Sequence, residues 1–300
     1  MTRGLAAVAV MVAAVATRGA DGPTLQHVPP QGFAFAAEGC SKILRFGADG
    51  RVAWECPAPM ARDVWVLPGG NVLFPYNENY HSRSNGNPSG VREVAPDGRV
   101  VFQFATTGQV FSCQRMADGS TLVGAASQGR LLVVTPAGTI ARAIQVKNTP
   151  GHSCMRNARA LAGGGFLVAE ESAKAAREYT ADGALVREFP APFPVYSAVR
   201  MGDGGTLICG KQGMIGFGPD GKQAWTLDAA EFPTLGIRWF AGVQALDDGT
   251  VFVCNAGGAV PFFILDPRAR RIVWQSHDGR ADMPIGHGIH IPGAAEPGLK

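Results

Sequence analysis

The segment Cys113-Gln-Arg-Met-Ala-Asp-Gly-Ser-Thr-Leu-Val123 places an Asp-Gly pair between two short stretches of β-prone residues. Glycine supplies the positive φ that a tight hairpin turn needs, so this pattern predicts a strand, a turn and a second strand. The same phrase occurs four more times, at 64–74, 158–168, 198–208 and 243–253. The sequence therefore predicts a protein built from similar hairpins.

A second hairpin phrase alternates with the first, as in Val91-Arg-Glu-Val-Ala-Pro-Asp-Gly-Arg-Val-Val-Phe102, and occurs six times. Its turns are 38 to 48 residues apart, at Gly50, Gly98, Gly138, Gly183, Gly221 and Pro267. Two hairpins per period, repeated at this spacing, are typical of the four-stranded blades of a β-propeller. We therefore predict an all-β fold, a six-bladed propeller of four-stranded blades.

Closure of the predicted ring involves both ends of the chain. Five blades are complete within single stretches, while residues 32–56 supply three strands without an inner partner. The segment Gly286-His-Gly-Ile-His-Ile-Pro-Gly293 supplies that inner strand, and its pairing would remove the exposed sheet edges of an open array. A seven-bladed ring with one degenerate blade and a β-sandwich are the alternatives. The five complete blades are predicted at 61–105, 109–145, 152–189, 194–227 and 239–276.

The N-terminal residues 1–20 have the order of a secretory signal peptide. Arg3 precedes an apolar run over 5–16, and small residues follow up to Ala20. An uncleaved anchor or a buried first helix is the alternative. We expect a secreted or periplasmic protein in which residues 21–300 form a single propeller domain, without a membrane span after the signal is removed.

Composition narrows the classes of partner. Removal of residues 1–20 takes away two arginines and no acidic residue, which leaves 25 basic and 24 acidic residues. This balance, with no cluster of Lys or Arg, argues against nucleic acid and anionic membranes as partners, and we expect a monomer.

The six cysteines form no CxxC motif. They are either buried free thiols or pairs such as Cys209 with Cys254 and Cys113 with Cys154.

The connections between strands indicate which face of the ring holds a site. The first and third connections of each blade are short glycine turns on one face. The longer connections are predicted on the opposite face, where recognition usually takes place, so we place the site there at the mouth of the central channel. These longer connections are 76–90, 146–153, 190–195, 227–238 and 277–285.

Alignment of the inner strands on their turns predicts which side chains meet at the mouth. Arginine binds anions bidentately and aromatic faces pack against sugars, so this ring suits a small polar or carbohydrate-like ligand. An inert, water-filled channel is the alternative. One level contains Asp63, Ser112, Asn157, Ser197, Gly242 and His287, and the next contains Arg62, Phe111, Arg156, Tyr196, Ala241 and Gly286.

His152 and His287 are the candidate catalytic residues, because a neutral imidazole can act as a general base, a nucleophile or a metal ligand. A structural hydrogen-bonding role is the alternative for each. His290 follows His287 by three positions and faces the opposite side of a regular strand. Asp63 and His287 are predicted at the same level of the channel, so they could share a metal ion. No spacing motif supports a metal site, and the sequence identifies no metal or cofactor.

Two further features lie on the same face. The loop 76–90 contains Tyr80, His81 and Arg83 and can form a ligand-binding lid over the channel, or else a solvated insertion. Glu170 and Glu171 are adjacent in a strand and point to opposite sides, so they do not form an acid/base pair.

The phrases at 197–208 and 219–225 resemble repeats of the bacterial PQQ-like β-propeller superfamily, which includes arylsulfotransferase-like propellers. The resemblance covers residues 32–293 and implies the propeller architecture. Similarity to the sulfotransferases would imply a catalytic histidine at the channel mouth, for which His152 and His287 are the matches.

These observations favour a protein that binds a small polar ligand or a partner on the long-loop face. The rival hypothesis is a propeller enzyme, a lyase, hydrolase or sulfotransferase, acting on a sugar or aryl ester. In that case His152 or His287 would react while Arg62 and Arg156 hold an anion. A scaffold for protein contacts is a third possibility and would show an apolar patch.

Overall fold

A computed structural model describes residues 29, 31–82, 85–276 and 283–293. These residues form 24 β-strands and five short 3-10 helices. The strands are β1 (Phe33–Ala37), β2 (Lys42–Phe46), β3 (Val52–Pro57), β4 (Trp65–Val66), β5 (Val72–Asn77), β6 (Pro88–Val94), β7 (Val100–Thr107), β8 (Val110–Arg115), β9 (Thr121–Ala125), β10 (Arg130–Val134), β11 (Ile140–Gln145), β12 (Asn157–Ala160), β13 (Phe166–Glu170), β14 (Ala175–Tyr179), β15 (Leu185–Pro190), β16 (Val195–Arg200), β17 (Thr206–Gly210), β18 (Gly213–Phe217), β19 (Gln223–Asp228), β20 (Phe240–Ala245), β21 (Val251–Asn255), β22 (Phe262–Asp266), β23 (Arg271–Gln275) and β24 (Ile289–His290). The 3-10 helices are Glu38–Cys40, Tyr80–Ser82, Ala126–Gln128, Ala229–Glu231 and Pro233–Leu235.

The strands form six four-stranded antiparallel sheets, which are the six blades of a β-propeller. Blades 1 to 5 contain four consecutive strands each, starting with β4, β8, β12, β16 and β20. Blade 6 has the order β24-β1-β2-β3. The prediction of six blades is confirmed, and the seven-bladed ring and the β-sandwich are excluded.

The chain ends close the ring in blade 6, as predicted. The short strand β24 pairs with β1 through Ala34 with His290 and Phe35 with Ile289. The backbone N–H of Val66 in blade 1 donates to Nδ1 of His290 over 3.1 Å. The two-residue strand β24 thus completes the sheet of blade 6 and also links blade 6 to blade 1.

The repeat extends to the geometry of the outer hairpins. In the turn of blade 1, Gly98 has a φ of +87°, and the carboxylate of Asp97 accepts from the N–H of Arg99 over 3.1 Å. Every blade has a register shift in its outermost strand pair, such as the one between Glu93 and Val94. The same register shift occurs next to the outer turn of every blade, which is consistent with the constant position of the turn in the second repeat phrase.

The core lies between adjacent blades. The second strands of the blades, such as β5, β9 and β13, are buried along their whole length. Between blades 6 and 5, Phe33 packs edge-on against Phe252 and Phe262 with ring centroids about 5 Å apart. This packing fixes the inner strands that line the channel.

All six cysteines are free thiols, five of them buried and Cys40 exposed. The structure thus agrees with free thiols rather than with disulfide pairs.

The predicted signal peptide at 1–20 lies outside the described residues. Among the described residues, no helix combines the length and the apolar character that crossing a bilayer requires.

Candidate functional site

A narrow pocket opens where the inner strands of the blades begin, at the mouth of the central channel. Its cavity volume is about 20 Å³, which is room for about one water molecule. Blades 1, 3, 4, 5 and 6 contribute the lining residues Arg62, Asp63, Arg156, Asn157, Arg159, Tyr196, Ala241, Gly242, Val243, His287, Gly288 and Ile289.

His287 is brought into the pocket by the closing segment before β24. A Cβ atom on Gly286 would lie 2.1 Å from the carbonyl oxygen of Ala36, and one on Gly288 would lie 2.5 Å from Cα of Asp63. Only glycine can take these positions, so the two glycines let the backbone pass tightly between blades 6 and 1. The His287 side chain is 18% exposed, which leaves it accessible to a ligand.

The imidazole of His287 is paired with a carboxylate. Its Nδ1 lies 2.7 Å from Oε2 of Glu38, which begins the 3-10 helix after β1. Burial lowers the pKa of His287, helped by the charges of Arg62 and Arg156 and opposed by Glu38. Burial would raise the pKa of Glu38, but the contacts with His287 and Arg62 bring it below its usual value. At neutral pH the pair is a neutral imidazole beside a carboxylate, in close contact but without an aligned hydrogen bond between Nδ1 and Oε2.

Arg62 supports this pair from the neighbouring blade. Its Nε lies 2.8 Å from Oε2 of Glu38, and its Nη2 donates to the hydroxyl of Tyr80 over 2.7 Å. The guanidinium lies over the rings of Tyr80 and Phe111, at 5.1 and 4.8 Å from their centroids. These contacts fix Glu38 and bring the loop residue Tyr80 to the edge of the site.

Arg156 makes a second arginine–carboxylate pair on the other side of Phe111. Its Nε donates to Oε2 of Glu171 over 2.6 Å, and its guanidinium lies 5.2 Å from the ring centroid of Phe111. The hydroxyl of Tyr196 donates to Glu171 over 3.0 Å. Burial, together with Glu171, raises the pKa of Tyr196 to about 12, so this phenol stays protonated. Tyr196 also packs against Trp239 with ring centroids 4.9 Å apart.

A third ion pair lies deeper in the channel. Arg159 donates from both terminal nitrogens to the carboxylate of Asp63, over 2.7 and 3.0 Å, and its guanidinium lies over Trp65. The amide oxygen of Asn157, in its hydrogen-bonded orientation, accepts from Arg159. This network ties blade 1 to blade 3.

The structure brings together six of the residues predicted for the site: Arg62, Asp63, Arg156, Asn157, Tyr196 and His287. Tyr80 joins them through Arg62. Ser112 and Ser197 are buried and do not line the pocket. His81 packs beside Tyr80 and is exposed, outside the pocket. Arg83 lies outside the described residues.

The second candidate catalytic residue, His152, lies beside the pocket rather than in its wall. Its Nδ1 is 3.0 Å from Oε1 of Gln109, and its ring packs near Phe111 and Tyr80. The arrangement matches the hydrogen-bonding alternative for this residue. Of the two histidines, only His287 lines the pocket.

Two predictions about neighbouring side chains agree with the geometry. Glu171 faces Arg156 at the mouth, whereas Glu170 is fully buried against Arg177 and Tyr179. His290 contacts Val66 and Trp65 and does not converge with His287. Within the described part of the chain, no group of three or more His, Cys, Asp or Glu side chains is arranged to hold a metal ion.

Sequence reasoning did not assign a role to Glu38, Glu171 or Arg159. Both glutamates directly follow the second strand of a blade, so the repeat alignment contained a signal for them. Arg159 is two positions after Asn157 and therefore on the same side of β12. The alternation of side chains along β12 therefore predicts that Arg159 faces the channel, as Asn157 does.

The arrangement can bind a small polar group and transfer a proton. It combines a neutral imidazole, a neighbouring carboxylate, two guanidinium groups and the aromatic ring of Tyr196. The wall includes no Ser or Cys side chain, so among the described lining residues His287 is the best nucleophile or base.

Comparisons with known proteins agree on the fold. No protein-family model matches the sequence, and no curated protein sequence is significantly similar to it. A protein of unknown function from Bacteroides caccae is 19% identical, with a TM-score of 0.74 over 87% of this chain and 98% of its own. A streptogramin B lyase structure is 15% identical, with a TM-score of 0.63 over 89% of this chain and 86% of its own.

A catalytically inactive histidine-to-alanine variant of virginiamycin B lyase from Staphylococcus aureus, in complex with quinupristin, is also similar. It is 16% identical, with a TM-score of 0.64 over 95% of this chain and 96% of that one. At these identities the similarity establishes a shared propeller fold.

Proposed function

We propose that this propeller is an enzyme of the lyase type, in which His287 acts as the general base at the channel mouth. The observation that supports it most directly is the 2.7 Å contact between His287 Nδ1 and Glu38 inside a pocket lined by Arg156 and Tyr196. A neutral histidine with one nitrogen held by a carboxylate presents its other nitrogen as a base.

A lyase is favoured over a hydrolase and a sulfotransferase by two considerations. Proton abstraction needs one base and a stabiliser for the developing negative charge, and the pocket offers both. Hydrolysis through a covalent intermediate would have to use His287 itself as the nucleophile, because the phenol of Tyr196 stays protonated and the described wall has no Ser or Cys side chain. Among proteins of the same fold are lyases, one of which is inactive without a particular histidine.

Ligand binding without turnover is the second candidate function. Arg62 and Arg156 are each neutralised by a glutamate, so the cluster is internally balanced and could hold a neutral polar molecule without reaction. A protein scaffold is less favoured, because all but one of the described exposed large apolar side chains are distributed over the outer strands of several blades, and the remaining one, Ile285, stands alone in the closing segment. Those on outer strands are Val100, Val101, Ile140, Leu185, Val186 and Val273.

The cellular setting belongs to the same proposal. We place the protein outside the cytoplasm, secreted or periplasmic, on the signal-like pattern of residues 1–20, and we expect it to act as a monomer. The Asp-Gly repeat phrases support a relation to the PQQ-like and arylsulfotransferase-like propellers. This relation concerns the repeats and assigns no cofactor.

A substrate panel tests the proposed activity. The protein is incubated with quinupristin, with polygalacturonate and with p-nitrophenyl esters and sulfates, and products are followed by mass spectrometry. A lyase generates a new carbon–carbon double bond, whereas a hydrolase adds water and a sulfotransferase moves a sulfuryl group. The His287→Ala variant should lose turnover, and His152→Ala should keep it. Turnover that survives His287→Ala would overturn the proposed role.

A further inference from the structure

A groove between blades 4 and 5 lies on the short-turn face of the ring, opposite the channel mouth. The turns after β16, β18, β20 and β22 line it. Its cavity volume is about 760 Å³, which is within the range for small-molecule sites and far larger than that of the mouth pocket. The groove has no part in the proposed lyase activity, so a ligand bound here would serve a separate function.

In three other blades a side chain of the outer strand bridges to the next blade. Each donates to a carbonyl oxygen in the outer turn of that blade, over 3.1, 2.7 and 2.9 Å: Trp54 Nε1 to Pro96, Arg142 Nη1 to Ala181 and Arg187 Nη1 to Pro219. Trp225 takes the same position in blade 4, yet within the described chain no hydrogen bond joins its indole to blade 5. The interface between blades 4 and 5 therefore lacks this bridge.

A glycine lets the indole of Trp225 lie against its own sheet instead. Gly216 in β18 is the cross-strand partner of Trp225, and a Cβ atom on Gly216 would lie 2.1 Å from Cε2 of the indole. At the equivalent position the other five blades have Arg45, Glu93, Val133, Glu178 and Ile264. Blade 4 alone thus has room for an aromatic ring directly over the strand, where it forms one wall of the groove.

Two arginines from the outer turn of blade 5 cross to blade 4 at the groove. Arg268 pairs with Asp203, and Arg270 pairs with Glu231. Arg270 also donates to the carbonyl oxygen of Thr226 over 2.7 Å. These bridges interrupt the cleft between the two blades, so the groove is a bounded site rather than a long channel for an extended chain. Its shape therefore favours a small molecule.

The lining of the groove has an excess of negative charge. Asp247, Asp248 and Asp266 line it, and among the described residues no cationic side chain lies within ion-pair distance of any of them. Hydrogen bonds from the hydroxyl and the N–H of Thr250 lower the pKa of Asp248, and Asp266 accepts from two backbone N–H groups of its turn. Because both arginines at the groove already pair with other carboxylates, these three are available to a cation.

We propose that the groove binds a small organic ammonium ion with an apolar body. The indole of Trp225 offers an aromatic face to the cation, the carboxylates of blade 5 supply the opposite charge, and Met201 contributes apolar surface. An anion would meet carboxylates and arginines that are already paired, and a neutral molecule would leave the carboxylates without a counter-charge. The inference is independent of the lyase function and concerns the opposite face of the ring.

Three probes of similar size test the charge preference: 2-phenylethylammonium, the neutral 2-phenylethanol and the anion phenylacetate. Saturation-transfer NMR titrations give their affinities, and the indole N–H resonance of Trp225 shows whether the groove is the site of binding. We expect the ammonium ion to bind about tenfold more tightly than the alcohol, and phenylacetate to bind most weakly. The affinity for the ammonium ion should fall as the salt concentration is raised.

Trp225→Leu and Asp247→Asn are the test variants. Leucine keeps an apolar side chain without the aromatic face, so the affinity for the ammonium ion should fall about threefold to thirtyfold. The Asp247→Asn variant loses one exposed charge, and the expected loss is about twofold to fivefold. The matched controls are Trp54→Leu, at the equivalent position of blade 6, and Asp182→Asn, in an exposed turn of blade 3. Both should bind as the wild type does, and circular dichroism verifies the fold of each variant.

Each result decides the proposal. Equal binding of the ammonium ion and the alcohol, tighter binding of phenylacetate, or unchanged affinity in both groove variants would overturn it. Absence of ammonium binding to the wild-type protein would overturn it too, and binding of tetralysine in that case would indicate a protein partner instead. The His287→Ala variant should bind the ammonium ion as the wild type does, so failure of the lyase proposal leaves this one intact.

Discussion

Nδ1 of His287 lies 2.7 Å from Oε2 of Glu38, and the two residues come from opposite ends of the described chain. Both belong to blade 6, where Glu38 follows β1 and His287 precedes β24. The same segment that closes the ring through β24 therefore also brings the His287 imidazole next to the Glu38 carboxylate. Any change that opens blade 6 also separates the imidazole from its carboxylate.

Replacement of Glu38 by Gln should lower the pKa of His287 further. Burial already lowers that pKa, Arg62 and Arg156 add to the effect, and Glu38 is the group that opposes it. Nitrogen-detected NMR titration of the imidazole measures the pKa directly. Glu93→Gln is the control, since it removes a carboxylate from a comparable arginine pair outside the pocket. A His287 pKa that is unchanged or higher in Glu38→Gln would contradict the assigned electrostatics.

His290 should make the protein less stable in mild acid. Burial, together with the charge of Arg159, lowers its pKa from 6.5 to about 3. The unfolded chain then binds more protons than the folded one between these values, so stability is complete above about pH 6.5 and decreases as the pH falls toward 3. Between pH 7 and pH 5 the loss from this residue is about 2 kcal/mol.

The His290→Asn variant isolates that contribution. The amide oxygen of Asn can accept from the N–H of Val66 as Nδ1 of His290 does, but it does not titrate. Urea unfolding at pH 7 and pH 5 should give a smaller change in the free energy of unfolding for the variant than for the wild type. Equal changes in the two proteins would show that His290 does not contribute to the acid sensitivity.

Substitution of Gly242 by Ala should disrupt the site from the neighbouring blade. A Cβ atom there would lie 2.0 Å from the carbonyl oxygen of His287, so the closing segment must shift. We expect a destabilisation of about 2–3 kcal/mol and a displaced His287 side chain. Gly202→Ala is the control, because a methyl group at Gly202 would have no neighbouring atom within 4 Å. Thermal unfolding measures the first effect and the NMR chemical shifts of the His287 imidazole measure the second; unchanged His287 shifts in Gly242→Ala would be the contrary result.

The thiols should differ sharply in reactivity. Cys40 is exposed and the other five cysteines are buried, with burial raising the pKa of Cys56 and Cys154 to about 12. A thiol reagent such as Ellman's reagent should modify one thiol in the native protein and six after unfolding in denaturant. Cys40→Ser should remove the native signal. Fewer than six reactive thiols in the unfolded, unreduced protein would reveal a disulfide.

The fold could be predicted in detail because its information is local and repeated. Each Asp-Gly phrase specifies a hairpin, and alignment of the phrases fixes the height of each inner-strand residue. Arg62, Asp63, Asn157 and His287, which the spacing assigns to the channel mouth, line one pocket in the structure. Their chemical roles stay predictions.

What spacing could not supply was the pairing of side chains across blades. The repeat alignment locates Glu38 after the second strand of its blade, but not its contacts with Arg62 and His287, which depend on the 3-10 helix after β1. Arg159 spans the channel to Asp63 through a long, flexible side chain. His152 is held beside the pocket by Gln109, a contact that depends on rotamers. Such pairings depend on three-dimensional distances that alignment along the chain does not contain.

The two-residue strand β24 also sets an order of events during biosynthesis. A ribosome adds Ile289 and His290 after the other 23 strands have been made, and His287 precedes them by only two positions. A nascent or prematurely terminated polypeptide that stops before this point holds Glu38 and both mouth arginines but has no imidazole opposite them. The side-chain cluster at the channel mouth is thus complete only after the closing strand has been synthesised.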